Sequence, residues 1–350
     1  VFPGPGTIYL EQKLRFTKPI RVGDTLTASV CCVSKNDEKK TLELDCAVTN
    51  QKGDRVLDGL ARVLAPSQKL RIPRIHAPHI TLFDPQTRHK HLLAMGEHLE
   101  PVTCGVVHPC DSESLLGALQ AHASGLIQAV LIAPEKKLRD LAQQCGADLN
   151  GITVVNVAHS HEAAEVAARM AGEGKLEALM KGSLHTDELI HAVVTHPALR
   201  TGRRMSHVFR FEAPMYPKPL YITDAALNIA PGLAEKIDIV QNAIDFASIM
   251  GVTQPKVAIL AAVETVNPNM PSTLDAAALC KMADRGQIRG GLLDGPLAFD
   301  NAVSTHAAEI KHIASAVAGQ ADILLAPDLE SGNMIAKQLE YLAGACGAGV

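Results

Sequence analysis

From residue 102 onward, short apolar segments alternate with segments of helical periodicity, and no other feature of the sequence restricts the fold as strongly. The apolar segments predicted to be strands are 102–107, 128–133, 152–157, 178–182, 208–211, 220–224, 256–262, 290–294 and 321–326. Helices are predicted between them at 112–124, 134–145, 160–172, 186–194 and 233–250. This alternation predicts an α/β fold in which helices cover both faces of parallel or mixed sheets.

Residues 1–66 follow a different pattern, without a long helix. Four segments with strand character are separated by charged or glycine-containing turns, and they lie at 7–16, 26–33, 41–49 and 55–64. This arrangement predicts an antiparallel meander. The following residues, 67–91, are rich in Pro, Arg and His, which predicts an extended linker. Its histidines lack the spacing of a metal site.

The composition excludes several classes of protein. A length of 350 residues predicts two or three domains of roughly 100–200 residues each. The net charge of −4 argues against nucleic-acid or membrane partners, and no apolar run is long enough to span a bilayer. Eight cysteines without paired spacing predict reduced thiols in a cytoplasmic protein. Because the chain starts at Val1 and ends in a strand-like segment at 347–350, we expect both ends to be truncated.

The segment 328–339 combines a short polar loop with an amphipathic helix directly after the strand at 321–326. Met334, Ile335, Leu339 and Leu342 are predicted to share one helical face. A glycine-containing loop that enters a helix presents free N–H groups and the positive end of the helix dipole, which suits a phosphate. An ordinary turn in which Ser331 or Asn333 caps the helix is an equally open interpretation.

Polar and basic residues also follow other predicted strands, at the edge where parallel sheets bind ligands. They lie at 181–186, 200–207, 223–228, 264–269 and 294–301. Arg and Lys in such loops favour a phosphate-bearing ligand. Lys181 is the strongest candidate because a lysine that closes an apolar strand requires an anionic partner. Other interpretations stay open: Arg203 and Arg204 as surface charges, Thr186 as a helix cap, and Asp224 as a partner of a helix dipole. Walker A, GxGxxG and GxSxG motifs are absent.

Several motifs, spread over residues 90–350, occur together in the order of one known family. They are Lys181-Gly182 with Thr186, Ser206-His207-Val208, Thr223-Asp224-Ala225 with Asn228 and Pro231, Val266-Asn267-Pro268 with Met270-Pro271, Asp294-Gly295-Pro296-Leu297-Ala298 with Asp300-Asn301, and Pro327-Asp328 with Gly332-Asn333 and Lys337. This set resembles the phosphate acetyl/butyryl transferase family, and is most similar to its short butyryltransferase-like branch.

A second resemblance covers the N-terminal region. Pro5-Gly6, Phe16 and the stretch from Pro19 to Thr25 resemble the C-terminal half of a MaoC-type hot-dog hydratase domain. The catalytic Asp and His of that family lie upstream of the half that is present here, so we do not expect hydratase activity. A hot-dog segment before a transferase resembles the bifunctional enoyl-CoA hydratase/phosphate acetyltransferase proteins.

The resemblance implies a two-domain phosphate acyltransferase of the isocitrate/isopropylmalate dehydrogenase-like fold. The expected boundaries are 1–66 for the partial hot-dog segment, 67–91 for the linker, 92–205 for transferase domain I without its C-terminal part, and 206–350 for domain II. The implied activity moves a short acyl group between coenzyme A and phosphate, without a metal or other cofactor, in a homodimer. The residues expected to bind acyl-CoA and phosphate are Lys181, Gly182, Thr186, Arg203, Ser206, Asp224, Asn228, Asp294, Gly295, Glu330, Ser331, Gly332 and Asn333.

The catalytic base stays unassigned at this stage. In the family it belongs to a Ser-Arg motif with a nearby Asp, which we expect beyond Val350; Asp224, Asp294 or Glu330 as a substitute base stays open. Two other functions also stay open. One is an enzyme of the same fold with other chemistry, although the helical Asp cluster of a metal-dependent dehydrogenase is missing. The other is a non-catalytic acyl-CoA-binding protein. The length of the acyl chain is not decided by residue types.

Overall fold

The computed structural model describes residues 4, 6–66, 92–96 and 98–350. The chain divides into two compact units, Val1–Leu82 and Phe83–Val350. The predicted linker at 67–91 lies outside the described residues, and the boundary between the two predicted transferase domains stays a prediction. Among the described residues, no helix is long and apolar enough to cross a membrane.

The first unit contains a four-stranded antiparallel sheet, as predicted. Its strands are β1 (Ile8–Phe16), β2 (Thr27–Asn36), β3 (Thr41–Thr49) and β4 (Arg55–Leu64), in the order β1-β4-β3-β2. The predicted meander is correct for β2 to β4 but wrong for β1, which pairs with β4 and places Phe16 opposite Leu57. Residues 17–26 are too many for a tight hairpin, so β1 reaches the far side of β4.

The second unit begins with a parallel sheet of the predicted kind. Its strands are β5 (Val102–Val107), β6 (Ile127–Ala133), β7 (Thr153–Asn156) and β8 (Ala178–Lys181), in the order β7-β6-β5-β8. The helices are α1 (Ser112–Ala123), α2 (Glu135–Cys145), α3 (Ser160–Gly172) and α4 (Thr186–Thr195). Alternate residues of each strand enter opposite cores: Val107 and Ile132 pack with α3, while Val106 and Leu131 pack with α1 and α2. The buried strands therefore read as continuous apolar runs.

The other sheet of this unit is mixed. Its order is β12-β11-β13-β10-β9-β14, with strands β9 (Val208–Glu212), β10 (Leu220–Thr223), β11 (Lys256–Leu260), β12 (Leu292–Leu297), β13 (Ile323–Leu325) and β14 (Cys346–Gly349). Strands β10 to β13 run parallel to one another. Strand β9 is antiparallel to both of its neighbours, β10 and β14. The helices are α5 (Leu233–Ile249), α6 (Pro271–Asp284), α7 (Phe299–Val303), α8 (Thr305–Ile310) and α9 (Leu329–Tyr341). Residues of α5 and α6 form one core, and residues of α7 to α9 form the other.

The structure corrects the predicted surroundings of Asp294 and Gly295. The sequence predicts a strand that ends at Asp294 and a loop that follows it. Instead β12 continues to Leu297, so both residues lie inside the strand. Pro296 lacks a backbone donor, and it is tolerated because β12 is an edge strand of the sheet.

The helix starts near the predicted binding loops also differ from the expectation. Helix α9 begins at Leu329, so 330–333 is helical rather than a loop. Asp328 caps this helix by accepting a hydrogen bond from the N–H of Ser331 at 2.8 Å, so neither Ser331 nor Asn333 is the cap. Thr186 is likewise the first residue of α4 and not its cap. The carboxylate of Asp328 accepts more strongly than a hydroxyl or an amide, which decides the position of the cap.

The predicted apolar face of α9 is only partly correct. Ile335 and Leu339 pack against the core, but Met334 and Leu342 are exposed. The helix starts earlier than the pattern indicates and ends at Tyr341, so Leu342 lies past its end.

Candidate functional site

Asp224, at the carboxyl end of β10, is the centre of a buried hydrogen-bond network. Its side chain is almost fully buried and accepts four hydrogen bonds. One oxygen accepts from the N–H groups of Ala226 and Leu227, each at 2.9 Å. The other accepts from the N–H of His207 at 3.2 Å and from the side chain of Asn228 at 2.6 Å. Among the described residues Asp224 has no ion pair, and a buried carboxylate then requires such donors. Asp224 therefore holds this loop together.

The arginine-rich loop at 200–207 is attached to this network and to α5. Asn228 accepts a hydrogen bond from the guanidinium of Arg204 at 2.5 Å. Asn242 of α5 donates to the hydroxyl of Ser206 at 2.9 Å. Arg203 forms an ion pair with Asp245 of α5 at 2.5 Å. The predicted binding residues Arg203, Ser206, Asp224 and Asn228 are therefore brought together, but protein groups already occupy much of their hydrogen-bonding capacity.

The predicted glycines lie where the backbone of another segment approaches closely. A Cβ atom on Gly332 of α9 would lie 2.7 Å from the carbonyl oxygen of Asp224. A Cβ on Gly295 would lie 2.8 Å from the carbonyl oxygen of Ile259. One on Gly182 would lie 2.6 Å from the carbonyl oxygen of His108. Real Cβ atoms do not approach backbone so closely, so packing alone requires glycine at these positions.

Lys181 is the last residue of β8 in the parallel sheet, Gly182 follows it, and Thr186 begins α4. Lys181 is exposed, and its Nζ atom donates to the carbonyl oxygen of Gly182 at 3.3 Å. Among the described residues Lys181 has no carboxylate partner. Its charge is therefore available to an anionic ligand.

A cavity of about 800 Å³ lies at the carboxyl edge of the mixed sheet. Its lining includes the end of β11, the turn after β13, and the starts of α5, α6 and α9. An apolar wall is formed by Leu260, Ala261, Met270, Phe299 and Ile335. A largely apolar pocket of this size with a few polar groups is typical of a small-molecule site.

The polar part of the cavity contains a buried ion pair. Lys236 of α5 donates to Asp275 of α6 at 2.7 Å, and the two side chains are 6% and 22% exposed. A lysine is rarely buried without a specific partner. The pair therefore places a cation and an anion in the wall of the cavity.

The three longer helices that start at the cavity, α5, α6 and α9, differ in how they are capped. Asp328 caps α9, and Glu235 accepts a hydrogen bond from the N–H of Gly232 at the start of α5. Helix α6 has no side-chain cap and no acidic residue in its first turn. Its first residues, Pro271 and Ser272, line the cavity. The N–H of Thr273 donates to the carbonyl of Met270 at 3.0 Å, but no carboxylate caps this end, so its helix dipole can attract an anion.

Glu264, after β11, belongs to a separate polar cluster. It accepts hydrogen bonds from the amide of Asn301 and from the ammonium of Lys311. The hydrogen bond from Lys311 lowers the pKa of Glu264 below its ordinary value. Asn301 is fully buried. The cluster joins the loop after β11 to α7 and α8, and its residues do not line the cavity.

The predicted binding residues overlap little with the cavity. All of them lie in the described part of the chain, and Ser331 alone lines the cavity. Asp294 and Gly295 lie in β12, Glu330 is exposed on α9, and Asn333 donates to the carbonyl of Ala225 at 3.2 Å. Lys236 and Asp275, which line the cavity, are not among the residues predicted from the sequence.

A signal for Lys236 is present in the sequence. It lies three and four residues before Ile239 and Val240, in the apolar stripe of α5. A lysine in such a stripe is buried and requires a counter-ion.

The parallel sheet, the mixed sheet and the cavity are typical of an α/β protein that binds a small anionic ligand at the carboxyl edge of a sheet. The family described as phosphate acetyl/butaryl transferase matches residues 160–349. A phosphate acetyltransferase of Rhizobium meliloti is 53% identical over 265 residues, which cover 75% of this chain and 84% of that protein. A phosphate butyryltransferase of Clostridium acetobutylicum is 42% identical over 241 residues, covering 69% and 80%.

The fold comparison agrees with the sequence relatives. The crystal structure of a branched-chain phosphotransacylase from Enterococcus faecalis V583 has a TM-score of 0.62 and 27% identity, and it covers 71% of this chain and 87% of that chain. The chain belongs to the phosphate acetyl/butyryl transferase family. The resemblance found in the sequence is thereby confirmed for residues 160–349, whereas the hot-dog assignment is supported only by the antiparallel pairing of β1 to β4.

Proposed function

We propose that this protein transfers a short acyl group between coenzyme A and inorganic phosphate, with the cavity as its acyl-phosphate site. Family membership supports the reaction, since its relatives include phosphate acetyltransferases and phosphate butyryltransferases. The observation that carries the placement is the uncapped start of α6 beside the apolar wall. The helix end suits the phosphate, and the wall suits the acyl chain.

The chemistry requires few groups from the protein. The sulfur of coenzyme A attacks the carbonyl carbon of the acyl phosphate, the new C–S bond forms, and the C–O bond to phosphate breaks. The thiol proton passes to a base, and the electron pair of the broken bond leaves with the phosphate. Fixed positive groups stabilise the charge on the phosphate during this step. The reaction needs no metal or redox cofactor, and we propose a cytoplasmic homodimer without one.

The reaction can be assayed directly. We expect this chain to release the thiol of coenzyme A from acetyl-CoA or butyryl-CoA when phosphate or arsenate is the acceptor. If the chain binds coenzyme A but shows no turnover, the alternative of a non-catalytic acyl-CoA-binding protein is favoured. Absence of both binding and turnover would overturn the proposal.

Two variants at the start of α6 test the placement. Ser272→Glu introduces a carboxylate at this end, and we expect it to raise the KM for phosphate at least about tenfold by repulsion. Ser272→Ala is the matched control, because it removes the hydroxyl without adding charge, and we expect a change below about threefold. Equal effects of the two variants would argue against a phosphate at this helix end.

A further inference from the structure

We infer that Lys236 binds the phosphate group of the substrate and that Asp275 is the counter-ion that phosphate displaces. This inference rests on the proposed function and assigns the cation of the site. Neither residue belongs to the motifs that carry the family resemblance. Both line the cavity, together with Ser272 at the start of α6.

Lys236 has unfilled hydrogen-bonding capacity. An ammonium group has three donors. In the described part of the chain, the Nζ atom of Lys236 has one acceptor, Asp275. The side chain is nevertheless 6% exposed, so bulk water does not surround it. Two donors of this buried ammonium therefore remain for a ligand in the cavity. Phosphate can accept both hydrogen bonds because it has several acceptor oxygens.

Lys236 and Asp275 differ in their exposure to solvent. Asp275 is 22% exposed, so it regains solvent more readily than Lys236 when the ion pair opens. Lys236 is fixed in the packed stripe of α5, next to Ile239 and Val240. The ammonium therefore stays in the wall, while the carboxylate can turn toward water. A bound phosphate would face Lys236 and the positive end of α6 from the same cavity.

Asp275 also has a role in the protein without ligand. A lysine without a counter-ion in this wall would carry a large desolvation cost. The ion pair with Asp275 offsets part of that cost and keeps the cation in place before the substrate binds. Phosphate and Asp275 then compete for one ammonium, so Asp275 weakens phosphate binding while it stabilises the empty protein.

The competition predicts opposite effects for the two partners. Lys236→Met should raise the KM for phosphate about ten- to hundredfold, since a hydrogen-bonded charge pair is lost. Asp275→Asn should lower the KM for phosphate about two- to tenfold, because the competing carboxylate is gone. The KM for acyl-CoA should change less than about threefold in both. If the role of the pair were purely structural, the KM for phosphate would change in the same direction in both variants.

The double variant Lys236→Met/Asp275→Asn keeps the test valid if a single variant fails to fold. It leaves no unpaired buried charge, so we expect it to fold, yet its KM for phosphate should stay as high as in Lys236→Met. The matched control is Lys218→Met. Lys218 pairs with Asp322 at 2.5 Å, away from the cavity, and we expect its KM for phosphate to equal that of the unmodified protein.

The outcomes separate this inference from the proposed function. If the double variant keeps transferase activity and has the same KM for phosphate as the unmodified protein, the role of Lys236 is overturned. The proposed function then still holds. Without any turnover, equilibrium dialysis with radiolabelled phosphate gives the same comparison. Phosphate binding to the unmodified chain that is lost in the double variant supports the inference, and equal binding overturns it.

Discussion

Asn228 donates a hydrogen bond to Asp224 at 2.6 Å and accepts one from Arg204 at 2.5 Å, so a single amide joins a buried carboxylate to the arginine-rich loop. The amide also donates to the carbonyl of Met205 at 3.0 Å. These contacts explain why polar residues predicted from the sequence as ligand-binding groups lie together. They are the donors and acceptors of an internal network at the carboxyl end of β10.

Replacing Asp224 should therefore reduce stability strongly. Asp224→Ala leaves the N–H groups of Ala226 and Leu227 and the amide of Asn228 without their acceptor. With roughly 1–3 kcal/mol for each buried unsatisfied group, we expect a loss of at least about 3 kcal/mol. Denaturant unfolding of the whole chain measures it. Asp238→Ala is the control, since this partly buried side chain accepts one hydrogen bond, from the N–H of Arg204. A loss as small as in the control would show that Asp224 does not hold the loop.

A methyl group on Gly332 should separate α9 from the loop after β10. The Cβ atom of Gly332→Ala would lie 2.7 Å from the carbonyl oxygen of Asp224 and 3.0 Å from the side chain of Ala326. The clash should outweigh the gain in helix propensity and give a net loss of about 1–2 kcal/mol. Gly117→Ala in α1 meets nothing within 4 Å and should gain about 0.5–1 kcal/mol. Thermal unfolding of both variants gives the comparison. If Gly332→Ala gains stability as Gly117→Ala does, the close contact is disproved.

His207 should make stability depend on pH. Burial lowers the pKa of His207, and the nearby Asp224 opposes this only in part. The unfolded chain, in which the pKa is about 6.5, then binds the proton more readily than the folded chain. Stability from the neutral ring is present above about pH 6.5 and is lost as the pH falls toward the lowered pKa. Unfolding free energies between pH 7.5 and 5 should fall less steeply in His207→Gln. Identical slopes would rule out this contribution.

The acyl chain length should respond to the volume of the apolar wall. Ala261 is buried and lines the cavity. Ala261→Leu should lower kcat/KM for butyryl-CoA about tenfold more than for acetyl-CoA, because each methylene in such a pocket is worth about 1–3 kcal/mol. Ala314→Leu, at an exposed position, is the control and should leave the ratio unchanged. If Ala261→Leu changes kcat/KM equally for both substrates, the acyl chain does not bind against this wall.

Lys181 and Arg203 should differ in their contribution to ligand binding. Both were predicted to bind phosphate or coenzyme A, but Arg203 is already paired with Asp245, while Lys181 has no carboxylate partner in the described part of the chain. We therefore expect Lys181→Ala to weaken binding more than Arg203→Ala does, with both melting like the unmodified protein. Titration calorimetry with coenzyme A and with phosphate measures this. Unchanged affinity in both variants would remove these residues from the site.

Much of the secondary structure could be predicted because the strands are buried on both faces. Segments such as α3 are predicted with their observed ends, 160 to 172. Helix α6 was missed because its small residues give no clear apolar stripe, although Pro271 begins it as proline often does. The extension of β12 through Pro296 was missed because a Gly-Pro pair is typical of a turn, and only the edge position in the sheet permits it.

The sequence by itself determined the α/β class, the family resemblance and the loops at the carboxyl edges of the strands. Periodicity and local motifs are properties of neighbouring residues, so they can be recognised in the sequence alone. Only the tertiary structure decided which polar residues face a cavity. Asp224 and Asn228 turned inward because buried donors surround them, while Lys236 and Asp275, far apart in sequence on α5 and α6, meet in the wall of the cavity. Contacts between distant segments depend on how helices pack on the sheet, and this packing is not encoded in any single stretch of the chain.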